Sequence, residues 1–152
     1  MTSDVSSWAV QGGDALQERD RVELSLPARP DLLFLVRMTA AAVASRADFG
    51  YDQVEDLRLA IDELCLTISG ETAVDGRMQL LFKWGDDAIE VVGVYESDDA
   101  EGRVRPDLSV AQPVNELSER ILDALVDEHG TDVVGGCPRA WLRMRRRRGM
   151  PQ

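Results

Sequence analysis

Residues 21–69 read RVELSLPARPDLLFLVRMTAAAVASRADFGYDQVEDLRLAIDELCLTIS, and the recurrence of their apolar residues decides the fold. From Arg21 to Pro27, Val22, Leu24 and Leu26 alternate with Glu23 and Ser25, which predicts a half-buried strand stopped by Pro27. The period then changes. Pro30 suits the first turn of a helix, and Asp31 sits favourably beside that N-terminus. Leu32, Val36, Thr39, Val43 and Ala44 follow at helical spacing, so the first helix is predicted to run to about Arg46, with Asp48-Phe49-Gly50 breaking it. Asp52 and Glu55 stand three apart, as in a capping box. Val54, Leu57, Ile61, Leu64 and Ile68 form an apolar stripe, which predicts a second helix over Asp52–Ser69 that Gly70 ends.

Working outward, Arg77–Trp84 and Ala88–Tyr95 read as two strands joined at Gly85-Asp86-Asp87, a hairpin with Leu80, Leu81, Val91, Val92 and Val94 as sheet core. Residues 96–112 are polar and irregular, longer than a usual connection. Residues 114–128 predict a third helix with Leu117, Ile121, Leu122 and Leu125 inward, and His129, the only histidine, at its end. Thr131–Val134 is a short predicted strand. Residues 140–147 predict a last one, with Trp141 and Arg143 on one face and Leu142 and Met144 on the other. Strands in hairpins and helices in sequence predict an α+β two-layer sandwich, a mostly antiparallel mixed sheet covered on one face by three helices. Residues 1–20 read as a leader in which Trp8 is the residue fit to dock, 21–147 as one domain, and 148–152 as a tail.

Composition narrows the function. The 152 residues carry 17 basic and 28 acidic side chains, and six of the arginines lie beyond position 138, where there is no acid. The body before them is strongly acidic, which weakens a duplex-DNA-binding reading, since most of the surface repels phosphate. Cys65 and Cys137 stand far apart and outside any C-x-x-C pattern, so neither a zinc site nor a secreted disulfide framework is indicated. No signal sequence or membrane-spanning stretch is visible, and a cytoplasmic location is the expectation.

The segment Val22–Thr67 resembles the bacterial anti-sigma factor/serine-protein kinase group of the histidine-kinase-like ATPase superfamily. The run Glu55-Asp56-Leu57-Arg58-Leu59-Ala60-Ile61-Asp62-Glu63-Leu64-Cys65 carries the likeness, in its place after the strand and the Pro30 helix. The resemblance implies a Bergerat-type ATP fold, a homodimer that sequesters a sigma factor, and an antagonist protein with a phosphorylatable serine. It also implies that Glu63 polarises the attacking group as general base. A magnesium-orienting asparagine belongs four residues later, on the same helix face; this chain has Thr67 there, whose hydroxyl offers a hard cation one short-armed oxygen. At the family's adenine-contacting Asp-x-Gly-x-Gly, the chain reads Glu96-Ser97-Asp98-Asp99-Ala100, so Glu96, with Asp98 as substitute, takes the adenine position and both glycines are missing. The glycine-rich entry to helix three, whose amides would hold phosphates, reads Gln112-Pro113-Val114-Asn115-Glu116-Leu117-Ser118. The scaffold is recognisable and its ATP and magnesium boxes are eroded.

Three functions follow. The first is a regulator that binds a sigma factor and is displaced by an antagonist, its acidic body suited to a basic partner. The second is an active ATP-dependent serine kinase built on Glu63. The third is an anionic-partner module using Arg143–Arg148, against the plainer reading of those arginines as a solvated strand end. Cys65, beside the Leu64 stripe, reads as a small buried hydrophobe.

Overall fold

The computed structural model describes residues 20–70, 75–97 and 112–147, with the side chains of the third helix described from Glu116 on. The elements are β1 (Arg21–Pro27), a 3₁₀ turn (Pro30–Leu32), α1 (Leu33–Arg46), α2 (Tyr51–Ser69), β2 (Gly76–Trp84), β3 (Ala88–Ser97), α3 (Gln112–Leu125), β4 (Glu128–Val134) and β5 (Cys137–Arg145). This is the predicted order. The five strands form one sheet, β1-β2-β3-β5-β4, and every pairing is antiparallel. The parallel component of the expected mixed sheet is absent among the described strands.

Strand parity sorts the sheet into two faces. Leu24 opposite Leu80, and Val91 opposite Leu142, face the helices. There they join Val36, Ala40, Val43, Leu57, Ile61, Leu64, Ile68 and Leu122 in the main core. Gly93 shows how closely α2 lies on this inner face: a Cβ there would stand 2.9 Å from Leu64 Cδ2 and 3.1 Å from Ile68 Cδ1. Leu81, Val92 and Val94 point the other way and form a second cluster on the outer face, with Val134, Cys137 and Trp141 against it. The five hairpin residues expected as sheet core are all buried, and strand parity divides them between the two faces. Trp141 and Arg143 on one side of β5, and the buried Leu142 and Met144 on the other, stand as expected.

The ends of the elements have local causes. Between α1 and α2, Asp48 adopts φ +63°. The Phe49 amide reaches back to Ala44 O at 2.9 Å and the Asp48 amide to Ser45 O at 3.2 Å. This is a Schellman cap, and its apolar contact is Phe49 against Ala44, both buried. Gly70, at φ +73°, ends α2. The predicted capping box is not made: α2 begins after Gly50 with no side-chain cap, and Glu55 instead accepts from Arg58 at 2.9 Å.

Two further expectations are corrected. Leu117 is exposed, and Ser118 and Leu122 take the buried face of α3. The helix also stops at Leu125, three residues early, because β5 competes for the chain. The Asp127 amide donates to Arg143 O at 3.0 Å, and Asp127 Oδ2 accepts the Arg145 amide at 2.7 Å. Glu128 and His129 consequently belong to β4, where His129 lies opposite Leu142 and its Nε2 stands 2.6 Å from Asp123 Oδ1.

Candidate functional site

The site begins with the spacing of α2. Glu63 and Thr67, four apart, share one helix face as the sequence requires, and both are half-buried. Each has one hydrogen bond within the protein. Thr67 Oγ1 donates to the backbone carbonyl of Glu63 at 2.7 Å, a bond that turns the hydroxyl into its own helix. Glu63 Oε2 accepts the hydroxyl of Ser118 from α3 at 2.9 Å. Ser118 is only 3% exposed, so this charge-assisted bond ties α3 down on α2. Leu122 and Val126 pack into the core behind it.

Ser118 is the site residue that sequence reasoning missed. It closes the Gln112–Ser118 box, which was read for its missing glycines, and the signal was a small hydroxyl one helical turn before Leu122. The side chains of 112–115 lie outside the described residues.

Glu96 is placed elsewhere. It follows Val92 and Val94 on β3 with the same parity, so it belongs to the outer face, opposite Arg77 of β2. Its charge, second to burial, pushes the Cys137 thiol up, and Cys137 is a member of the outer cluster. The structure brings Glu63 and Thr67 together and sets Glu96 across the sheet from them. Asp98, the alternative adenine contact, lies outside the described residues.

Around Glu63 the electrostatics are mixed. Asp62, next to it, pairs with Arg37 of α1 at 3.6 Å. Burial pushes the Asp62 carboxyl above its ordinary value, Arg37 opposes this, and the Glu63 charge adds to it. Burial, with the charge of Asp62, pushes the Cys65 thiol up to about 12. That thiol is protonated and inert, as its position beside the Leu64 stripe predicts. Among the described residues no group of three or more His, Cys, Asp and Glu side chains is arranged to hold a metal ion, and no helix is long and apolar enough to cross a membrane.

A search of protein-family models finds no match. Known proteins do match. The serine-protein kinase RsbW of Bacillus cereus (strain AH187) is 26% identical over 125 residues, covering 74% of this chain and 78% of that protein. The serine-protein kinase RsbW of Bacillus thuringiensis subsp. konkukian is likewise 26% identical over 125 residues. The serine-protein kinase RsbW of Bacillus subtilis (strain 168) is 30% identical over 121 residues, 72% of this chain and 76% of that protein. These matches extend well beyond the Val22–Thr67 segment that first carried the likeness. Together with a five-stranded sheet under three helices, they show that the chain belongs to the RsbW family of anti-sigma factors and serine-protein kinases.

Proposed function

We propose that this chain works as an anti-sigma regulator by protein–protein binding, holding a sigma factor away from core polymerase until an antagonist protein competes for it. The observation that carries this reading is the state of the helix pair. One carboxylate oxygen of Glu63 accepts the Ser118 hydroxyl, and Thr67 gives its proton to the α2 backbone. Magnesium-ATP, which the family implies, fits these residues poorly. Thr67 offers a hard cation a single short-armed oxygen, and Glu96 has the parity of the opposite sheet face.

The surface supports binding. α1 turns Phe34, Leu35 and Met38 outward, at 47, 38 and 62% exposure, an apolar patch on an acidic molecule. The acidic charge favours encounter with a basic partner. A homodimer, as the family implies, belongs to the same reading. We place the protein in the cytoplasm and assign it no direct contact with nucleic acid.

The test mixes the purified chain with the sigma factors of its host, with and without magnesium-ATP, and adds candidate antagonists. The expected result is a nucleotide-independent complex with one sigma factor and no transfer of phosphate to antagonist serine. Failure to bind any of them, or ATP-dependent phosphorylation, overturns the reading.

A second reading, the ATP-dependent serine kinase, is favoured by the half-buried Glu63 in the family's position and by the name its relatives carry. In that case Ser118 restrains the base. Ser118→Ala would then raise phosphotransfer several-fold, whereas under the binding reading it leaves phosphotransfer undetectable and only loosens α3.

A further inference from the structure

The sheet ends on one side at β4, and that edge is exposed. Among the described residues no strand pairs with β4 on the side away from β5. Thr131, Asp132 and Val133 are exposed, Val133 at 55%. The hairpin turn settles which backbone groups face that side. Gly135 and Gly136 have φ +58° and +81°, a two-residue turn of the primed kind, so Val134 and Cys137 exchange both backbone bonds. Bonded and non-bonded pairs then alternate along the antiparallel ladder. Asp132 with Arg139 and Gly130 with Trp141 are bonded pairs, whereas Val133 faces Pro138, which has no N–H to give. The N–H and C=O groups of His129, Thr131 and Val133 therefore point away from β5, along the free edge.

Sheet edges are normally blunted by charge, proline or a covering element. β1, the other edge, has Pro27 and the paired Arg21 and Glu23. β4 has neither proline nor lysine. Its two acids are drawn back toward β5: Asp132 accepts from Arg139 Nε at 2.6 Å, and Glu128 stands 3.7 Å from Arg145.

We propose that β4 pairs antiparallel with β4 of a second copy, joining two five-stranded sheets into one, with Thr131 on the two-fold axis. The proposal rests on the homodimer of the preceding reading and supplies its interface. The outward groups of His129, Thr131 and Val133 must meet their counterparts, which allows three registers centred within the strand. With the axis at Asp132, two aspartates oppose each other. With the axis at Gly130, Asp132 opposes Glu128 of the second copy. With the axis at Thr131, Asp132 meets Gly130 and Glu128 meets Val134 of the second copy, so acid never opposes acid. Like charges directly opposite destabilise a strand pair, and the charge pattern therefore selects Thr131. The same register lays the exposed Val133 beside His129 of the second copy, on the face that carries the helices.

The test uses the full chain with Cys137→Ser, in which the remaining Cys65 is buried. Thr131→Cys sets two thiols across the axis, with Cα atoms about 5.5 Å apart and within disulfide reach. Val133→Cys sets them about 14 Å apart, out of reach. Under mild oxidation T131C should cross-link at least about tenfold faster than V133C. Thr131→Pro removes only an outward N–H. It breaks two bonds by symmetry, so the dimer should weaken at least about tenfold by sedimentation, with Tm of the monomer unchanged. Should T131P fail to fold, Thr131→Lys, which sets two ammonium groups face to face, takes its place. A dimer that cross-links equally at both positions, or that T131P leaves at full strength, overturns the proposal while the homodimer stands. A chain that is monomeric at every concentration overturns both. Loss of sigma-factor binding in T131P with the dimer intact assigns the edge to that partner, which also overturns the proposal.

Discussion

Glu90 is a carboxylate buried on the outer face between Lys83 and Arg143, its neighbours in register on β2 and β5. Burial pushes its pKa above the ordinary 4.5, while Lys83 and Arg143 pull it down and Glu128 pushes it up. A carboxyl that holds its proton more tightly folded than unfolded contributes stability that is complete below the unfolded value. That contribution is lost as pH rises through the folded one. Glu90→Gln keeps the shape and removes the charge, so it should raise Tm at pH 7, with the gain vanishing below the ordinary glutamate value of 4.5. Thermal melts across that range check this; a lower Tm at pH 7 would mean that attraction to the two cations outweighs burial. At this scale the sequence was legible wherever a role depends on near neighbours. Glu63 and Thr67 were found because i and i+4 share a helix face. Ser118 was not found, since its partner lies 55 positions away in the chain and only packing brings them together. Glu96 was grouped with Glu63 by family position, whereas counting parity from the hairpin core would have placed it on the other face.

At the scale of elements, α1 and α2 were readable because their apolar stripes are clean, and the link between them because Asp48 and Gly50 interrupt the period. The link stores a small cost. A non-glycine residue at φ +63° is disfavoured, and Asp48 has only its short polar side chain to ease this. Asp48→Gly should therefore stabilise the protein by about 0.5–1 kcal/mol, measured by urea denaturation at unchanged m-value. A decrease would show that the aspartate carboxylate supports the cap. The boundary between α3 and β4 was misread for a different reason. Local periodicity continues through Val126 and Asp127, and only the pairing of Asp127 with β5 withdraws these residues from the helix. Strand pairing across the chain overrides local pattern there.

For the whole molecule, the late arginines divide at Arg147. The Arg146 amide donates to Asp87 O at 2.7 Å, and the Arg147 amide to Gln53 Oε1 at 2.9 Å. The buried Gln53 also donates Nε2 to Arg145 O at 2.8 Å. One glutamine of α2 thus clamps the exit of β5, so the backbone is structural up to Arg147 while the guanidinium of Arg147 faces outward. A chain ended after Arg147 should melt like the full protein. One ended after Met144 forfeits these bonds and the last β3–β5 pairing. At about 1 kcal/mol each that loss should lower Tm by about 10 °C. Calorimetry of the two truncations separates the cases, and equal melting of both would deny Gln53 its role. Such a comparison also isolates any anion-binding role of Arg148 from damage to the sheet.

The sheet order carries a kinetic consequence. Trp84 pairs with Ile89 across a tight turn, and Val134 with Cys137 across Gly135-Gly136, so both hairpins zip from local contacts at small loop-closure entropy. β1 is different: Arg21 meets Lys83 only after the chain has travelled through both α1 and α2. The strand that opens the sequence therefore closes the longest loop in the sheet. Joining β5 to β3 closes a loop of similar length, from Val94 to Arg139, so refolding from denaturant should form the two hairpins first and complete the sheet by two slow non-local closures.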